Sequence, residues 1–174
     1  MRNWSTVDYI NDDELGEPSV RELTEAIYDR AEQDMRRLLV AAKDAFDEGV
    51  KGLLRVGELH RTHDSWEVWS HVFMPSRPKK RIGSAGLYFD LDDNKGPFLV
   101  GFVRPLGGQP GLNDLMRACK NQGLYKIDNH VVWTKMYVTP NTTRDEVCLE
   151  TKLKAKAVFK AAMGVLKDIA DKKK

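Results

Sequence analysis

The run of residues 98–103 constrains the fold of this chain more than any other stretch. Every residue in it except Gly101 is apolar. A strand with one buried face alternates apolar and polar side chains, whereas a strand covered on both faces is apolar throughout. We therefore predict a central strand here. It pairs with the alternating run of residues 87–91 across a polar turn that ends at Gly96.

Other runs rich in aromatic and β-branched residues predict the remaining strands. Residues 65–74 precede the central pair, and residues 124–127 and 130–138 form a second hairpin. Residues 50–63 are ambiguous, because two glycines interrupt a short apolar pattern that suits either a strand or a distorted turn. The sequence thus predicts an antiparallel sheet of about five strands in two hairpins.

Capping boxes mark the starts of two long helices, one near each end of the chain. Ser19 with Glu22, and Thr143 with Glu146, have the spacing at which each side chain bonds the other residue's backbone amide. Apolar residues then recur every three or four positions, and charged residues such as Lys43 fall on the solvated face of the first helix. We expect the two helices to pack on one face of the sheet, which gives an α+β fold.

The length favours a single domain over residues 1–174, in which residues 1–17 form a loosely docked N-terminal arm. Hydrophobic residues make up 41% of the chain and charged residues 31%, which argues against disorder. No apolar run approaches the roughly 20 residues that cross a bilayer, and the N-terminus has no hydrophobic signal core. We predict a cytoplasmic protein that does not enter a membrane.

The net charge of +2 conceals a polarised chain. Residues 1–48 carry 13 acidic and 6 basic side chains, whereas residues 144–174 carry 9 basic and 5 acidic ones. An anionic partner is therefore expected to meet the C-terminal half. The predicted anion or nucleic-acid contacts are Arg77, Lys79, Lys80 and Arg81 in a loop at residues 75–81, and Lys152, Lys156 and Lys160 on the last helix.

The reactive side chains form no recognisable catalytic pattern. His60, His63 and Asp64 have a spacing that suits a divalent metal, but the sequence has neither clustered cysteines nor a His-Glu-x-x-His helix. It also has no phosphate-loop lysine and no dinucleotide glycine fingerprint. We assign no catalytic residue, no metal and no cofactor, and this interpretation favours a protein that is not an enzyme.

The preferred hypothesis is a non-enzymatic binding or regulatory protein that acts through protein–protein interaction, including self-association as a homodimer. It follows from the lack of a catalytic constellation beside an aromatic-rich sheet and a polarised charge. The acidic helix at residues 20–48 or the basic loop at residues 75–81 would then form the contact.

Two other functions remain open. In the first alternative, a nucleic-acid-binding module, the basic side chains follow the phosphates and Trp69 or Tyr88 offers a stacking surface. In the second, a small hydrolase, a pocket between sheet and helices lies near His71 and His130.

Overall fold

The structure of the protein, a computed structural model, describes residues 18–61, 66–92, 96–106, 108–128, 130–139 and 141–172. The predicted arm at residues 1–17 lies outside this part. The strands are β1 (Arg55–Arg61), β2 (Glu67–Met74), β3 (Arg77–Asp92), β4 (Gly96–Pro105), β5 (Tyr125–Ile127) and β6 (His130–Tyr137). The helices are α1 (Pro18–Val50), α2 (Gly108–Ala118) and α3 (Arg144–Lys172), and a 3-10 turn spans Lys120–Gln122.

The six strands form one antiparallel sheet in the order β1-β2-β3-β4-β6-β5. The predicted apolar run lies in β4, between β3 and β6, and all of residues 98–103 are buried. The prediction of a central strand is therefore confirmed. The antiparallel α+β class is confirmed as well.

One face of the sheet and the three helices enclose the main core. Trp133 of β6 is 1% exposed, and its ring centroid lies 5.6 Å from that of Phe46 on α1 and 6.3 Å from that of Phe159 on α3. Gly101 makes room for the indole, because a Cβ at that position would lie 2.5 Å from the Trp133 ring. A residue with a side chain at this point of β4 would force the ring to move.

The predicted capping box at the start of α3 is present. The Glu146 backbone amide donates to Thr143 Oγ1 at 3.2 Å, and the Thr143 amide donates to Glu146 Oε2 at 2.7 Å. The Thr143 hydroxyl also donates to Glu146 Oε2, at 2.9 Å, and the hydrogen bonds from the Thr143 amide and hydroxyl hold the pKa of the Glu146 carboxyl below its usual value. None of the described helices is both long and apolar enough to cross a membrane.

Three features of the predicted fold were wrong. The sheet has six strands rather than five, because the ambiguous stretch contains β1, which pairs with β2. The helical layer is not built from two terminal helices alone, since the short α2 also packs against α3 and the sheet. The predicted loop at residues 75–81 is mostly strand, because β3 already begins at Arg77 and pairs with β2 across irregular registers that accommodate Pro78.

Lys43 was also misplaced by the sequence, which put it on the solvated face of the first helix. Its side chain is 1% exposed, its Nζ bonds the Asp47 carboxylate, and it lies 5.0 Å from the Phe46 ring centroid. Burial lowers the pKa of the Lys43 ammonium, and burial also raises the pKa of Asp47. The charged face of α1 thus includes an ion pair in which the lysine is buried and the carboxylate is partly exposed.

Candidate functional site

The basic hairpin between β2 and β3 contacts the C-terminal end of α3. Arg77 Nη1 lies 2.5 Å and Lys80 Nζ lies 3.1 Å from Oδ1 of Asp171. The hydrogen bond from Lys80, followed by the charges of Arg77 and Lys80, lowers the pKa of the Asp171 carboxyl. Two of the four predicted hairpin cations are therefore paired within the chain. Lys79 and Arg81 form no ion pair with any described residue.

The three predicted lysines of α3 lie on one side of that helix. Lys152, Lys156 and Lys160 are separated by about one turn each, a rise of about 6 Å. Lys152 lies 3.7 Å from a carboxylate oxygen of Glu48 on α1, whereas Lys156 and Lys160 form no ion pair within the described part of the chain. About 16 Å of helix separates Lys160 from Asp171. The three predicted lysines therefore form a row along α3. Within the described residues, Lys156 and Lys160 have no ion-pair partner, whereas Lys152 has one.

Two exposed leucines interrupt this row of lysines. Leu149 is 59% exposed and Leu153 is 58% exposed, the largest values among the large apolar side chains of the described residues. They lie one turn apart, and each is two positions from the fully buried Thr151, which places them about 160° from it around the helix. Together with the lysines, they form an exposed surface that we call the α3 ridge: Leu149, Lys152, Leu153, Lys156 and Lys160.

The leucines of the α3 ridge were missed at the sequence level. The buried side of α3 was predicted from Cys148, Ala155, Phe159, Ala162, Met163, Leu166 and Ile169. Of these, Ala155, Phe159, Ala162 and Leu166 are buried, Cys148 and Met163 are half-buried, and the side chain of Ile169 is not among those described. On a helix with 3.6 residues per turn, Leu153 cannot share that side with Ala155 two positions later. The two-residue spacing between Leu153 and Ala155 could therefore have predicted from the sequence that Leu153 is exposed.

The acidic helix that was predicted as a contact carries few unpaired carboxylates in its described part. The ion pairs of α1 and its end are Arg36–Glu32, Arg30–Asp34, Arg37–Asp34, Lys43–Asp47 and Lys51–Glu48. Because neighbouring arginines and lysines neutralise these acids, the described side chains of α1 present a weaker negative surface than their composition indicates.

The two predicted stacking residues lie on the opposite face of the sheet, on which no helix of the described residues packs. Trp69 stacks on His60 with ring centroids 4.4 Å apart, and both rings contact His71 at 5.0 and 5.1 Å. Tyr88 is half-buried on the same face, and the structure therefore does not bring Trp69 or Tyr88 together with the lysines of α3.

Tyr88 belongs to a second aromatic group on that face. Its ring centroid lies 5.8 Å from that of Phe102 and 6.1 Å from that of His130, while the Arg104 guanidinium lies 4.6 Å from the Phe102 ring centroid. Burial, followed by the charge of Asp90, raises the pKa of Tyr88 to about 12. The phenol is therefore neutral at physiological pH.

The residues proposed for a hydrolase pocket are far apart. His71 is on β2 and His130 on β6, and three interstrand spacings, about 14 Å, lie between them. Both project from the face opposite the helices rather than into a pocket between sheet and helices. His63 and Asp64 lie outside the described residues, within which no group of three or more His, Cys, Asp or Glu side chains is placed to hold a metal.

The two histidines have lowered pKa values for related reasons. Burial is the largest cause for His71, followed by the charges of Arg81 and His60. Burial is also the largest cause for His130, followed by the charge of Arg104. The charge of Asp128 raises the pKa of His130, but the pKa remains below its usual value.

Mild acid should therefore destabilise the fold. The pKa values of His71 and His130 are lower in the folded chain than the unfolded value of about 6.5, so the unfolded state binds more protons below that pH. We expect the melting temperature to fall as the pH drops from about 7 through about 6.5 to about 5. A His71→Gln/His130→Gln variant should show a smaller fall in thermal melts recorded across this range. An equal fall of the melting temperature in the variant would show that protonation of His71 and His130 does not cause the loss of stability.

Comparison with protein-family models, with curated proteins and with solved structures finds no match for this chain.

Proposed function

We propose that this protein is a non-enzymatic binding protein that holds a partner protein against the α3 ridge. The observation that carries the proposal is the exposure of Leu149 and Leu153, at 59% and 58%. Single exposed apolar residues are common on protein surfaces, but two adjacent leucines of this exposure form a patch that a partner can cover. Full burial of an exposed leucine side chain contributes about 1.5–3 kcal/mol, and a partner that covers the ridge gains the part of this that corresponds to the 59% and 58% still exposed.

The lysines of the ridge add a preference for an acidic partner surface. Lys156 and Lys160 have no ion pair within the described residues, so their charges are available to carboxylates at the rim of an interface. An apolar centre with a polar rim is the usual arrangement of protein–protein interfaces. The ridge therefore suits a partner that presents apolar side chains flanked by acidic ones.

The other predicted contact surfaces are less favourable. In α1, Glu32, Asp34 and Asp47 already have basic partners on the same helix. In the hairpin, Arg77 and Lys80 are held by Asp171. A new partner would have to compete with these internal pairs, whereas Leu149 and Leu153 of the α3 ridge are 59% and 58% exposed.

Replacing the leucines should remove binding without unfolding the chain. We expect wild-type protein, immobilised and exposed to a lysate of its source cells, to retain one or a few proteins that Leu149→Ser/Leu153→Ser loses. Leu59→Ser is the matched control, because Leu59 is 39% exposed but lies on β1. Retention of the same proteins by the wild type and both variants, or by none of the three, would contradict the proposal. Sedimentation of each variant tests whether a second copy of the chain is the partner.

A nucleic-acid-binding module is the second candidate, and the unpaired cations Lys79, Lys156 and Lys160 favour it. Phosphate contacts release counterions, so binding should weaken steeply as salt rises. Fluorescence anisotropy with mixed single- and double-stranded DNA and RNA, at low and at physiological salt, tests this candidate. Binding that is lost with salt and reduced in Lys79→Gln/Lys80→Gln would support it. No binding at low salt would exclude this surface as a phosphate-binding site.

A further inference from the structure

A depression of about 370 Å³ lies where α1, the end of β1 and the start of α3 meet. The residues that line it are Arg36, Arg37, Val40, Ala41, Asp44, Arg61 and Arg144. Four arginines from three separate elements thus line one small, open depression, together with the apolar side chains of Val40 and Ala41 on α1. Like charges at such a site repel each other, and a bound anion relieves that repulsion.

The four arginines differ in how far they are already neutralised. Arg36 pairs with Glu32 and lies over the Trp66 ring at 5.8 Å, and Arg37 lies 3.5 Å from Asp34. Arg61 and Arg144, by contrast, form no ion pair with any described residue, although the Arg144 side chain hydrogen-bonds the neighbouring Cys148 thiol.

Arg61 and Arg144 reach the depression from different elements. Arg61 is the last residue of β1, and Arg144 is the first residue of α3, where the positive end of the helix dipole adds to its charge. The carboxylate of Asp44 also lines the depression and reduces, without cancelling, the positive charge of these two side chains.

We propose that this depression binds a phosphate group, with Arg61 and Arg144 as its principal contacts. A guanidinium donates two parallel hydrogen bonds to a phosphate or carboxylate. Arg61 and Arg144 have no ion-pair partner in the described part of the chain, and their two positive charges complement the charge of a phosphate monoester, about −1.5 to −2 at neutral pH. The volume is at the lower end of the range for small-ligand sites, which suits a phosphorylated side chain or a small phosphate ester. This site is separate from the α3 ridge, and it stands or falls independently of the proposed function.

Titration calorimetry of the full chain tests this site with four probes: inorganic phosphate, phosphoserine, adenosine monophosphate and acetate. We expect the phosphate compounds to bind and acetate to bind at least several-fold more weakly. Binding should also weaken as the pH falls through about 6, where a phosphate monoester loses its second charge. Phosphoserine tighter than adenosine monophosphate would indicate a phosphorylated partner, and the reverse order would indicate a free phosphate metabolite.

Substitutions of the lining arginines test whether the phosphate binding measured by calorimetry takes place in the depression. Arg61→Gln and Arg144→Gln should each weaken phosphate binding by about tenfold, the loss expected for a charge-assisted hydrogen bond. Arg117→Gln is the matched control, because Arg117 is an exposed arginine on α2 that pairs with Asp114 at 3.3 Å. Circular dichroism confirms that each variant is folded. Equal binding of phosphate and acetate, or an unchanged isotherm in Arg61→Gln/Arg144→Gln, would overturn the proposal.

Discussion

Trp133→Ala is expected to lower the free energy of unfolding by about 3–5 kcal/mol, the usual cost of truncating a large buried aromatic residue. The indole is 1% exposed and packs between Phe46 and Phe159, which come from the two longest helices. Its removal leaves a cavity at the point where both helices meet the sheet. Because β4 carries Gly101 beneath the ring, residue 101 has no side chain that could fill the space.

Trp69→Ala is the matched control for this prediction. Trp69 is a tryptophan of the same sheet, but it is half-buried on the face away from the helices. We expect its truncation to cost about 1–2 kcal/mol. Urea unfolding of the two variants measures the difference. Equal losses would show that the helices and Trp133 do not form the principal core.

Asp47→Ala is expected to cost about 3 kcal/mol, because it leaves the ammonium of Lys43 buried without its counterion. The same replacement in a Lys43→Met background should cost less than about 1 kcal/mol, since Asp47 is 39% exposed and methionine fills the position without a charge.

A double-mutant cycle with chemical denaturation measures this coupling between Lys43 and Asp47 directly. Glu48→Ala is the comparison for an exposed carboxylate on the same helix, and we expect it to change stability by less than about 0.5 kcal/mol. If Asp47→Ala is no more harmful than Glu48→Ala, the side chain of Lys43 is hydrated rather than buried.

The parts of the fold that the sequence predicts well are those in which local chemistry and packing agree. The all-apolar run in β4 requires cover on both faces, and the Thr143–Glu146 capping box fixes the start of α3 within the chain. In both places the signal lies within a few residues. No knowledge of a distant partner strand or helix is needed to interpret it.

The errors arise where a distant element decides the outcome. The prolines of the β2–β3 hairpin predict a loop, but pairing of Met74 with Arg77 and contacts to Asp171 extend the strand into it. Lysine is normally a surface residue, and Lys43 is buried only because of how α1 packs in three dimensions. Sequence position alone cannot reveal such contacts.

For the binding surfaces, too, features that depend on nearby residues are predictable from the sequence, and features that depend on distant residues are not. The lysines of the α3 ridge were predicted from charge alone, and helical spacing would also have identified Leu149 and Leu153. The arginine-lined depression could not have been found in this way. It joins Arg36 to Arg144, residues more than 100 positions apart in the chain.

Site-specific photo-crosslinking tests most directly whether the α3 ridge is a protein interface. A benzoylphenylalanine residue replaces Leu153 in one sample and Trp69, on the opposite face of the sheet, in another. Each protein is irradiated in a lysate of its source cells. A discrete covalent adduct with another protein from position 153, and none from position 69, is the predicted result. Adducts from position 69 alone, or no adduct from position 153, would contradict the assignment of the interface to α3.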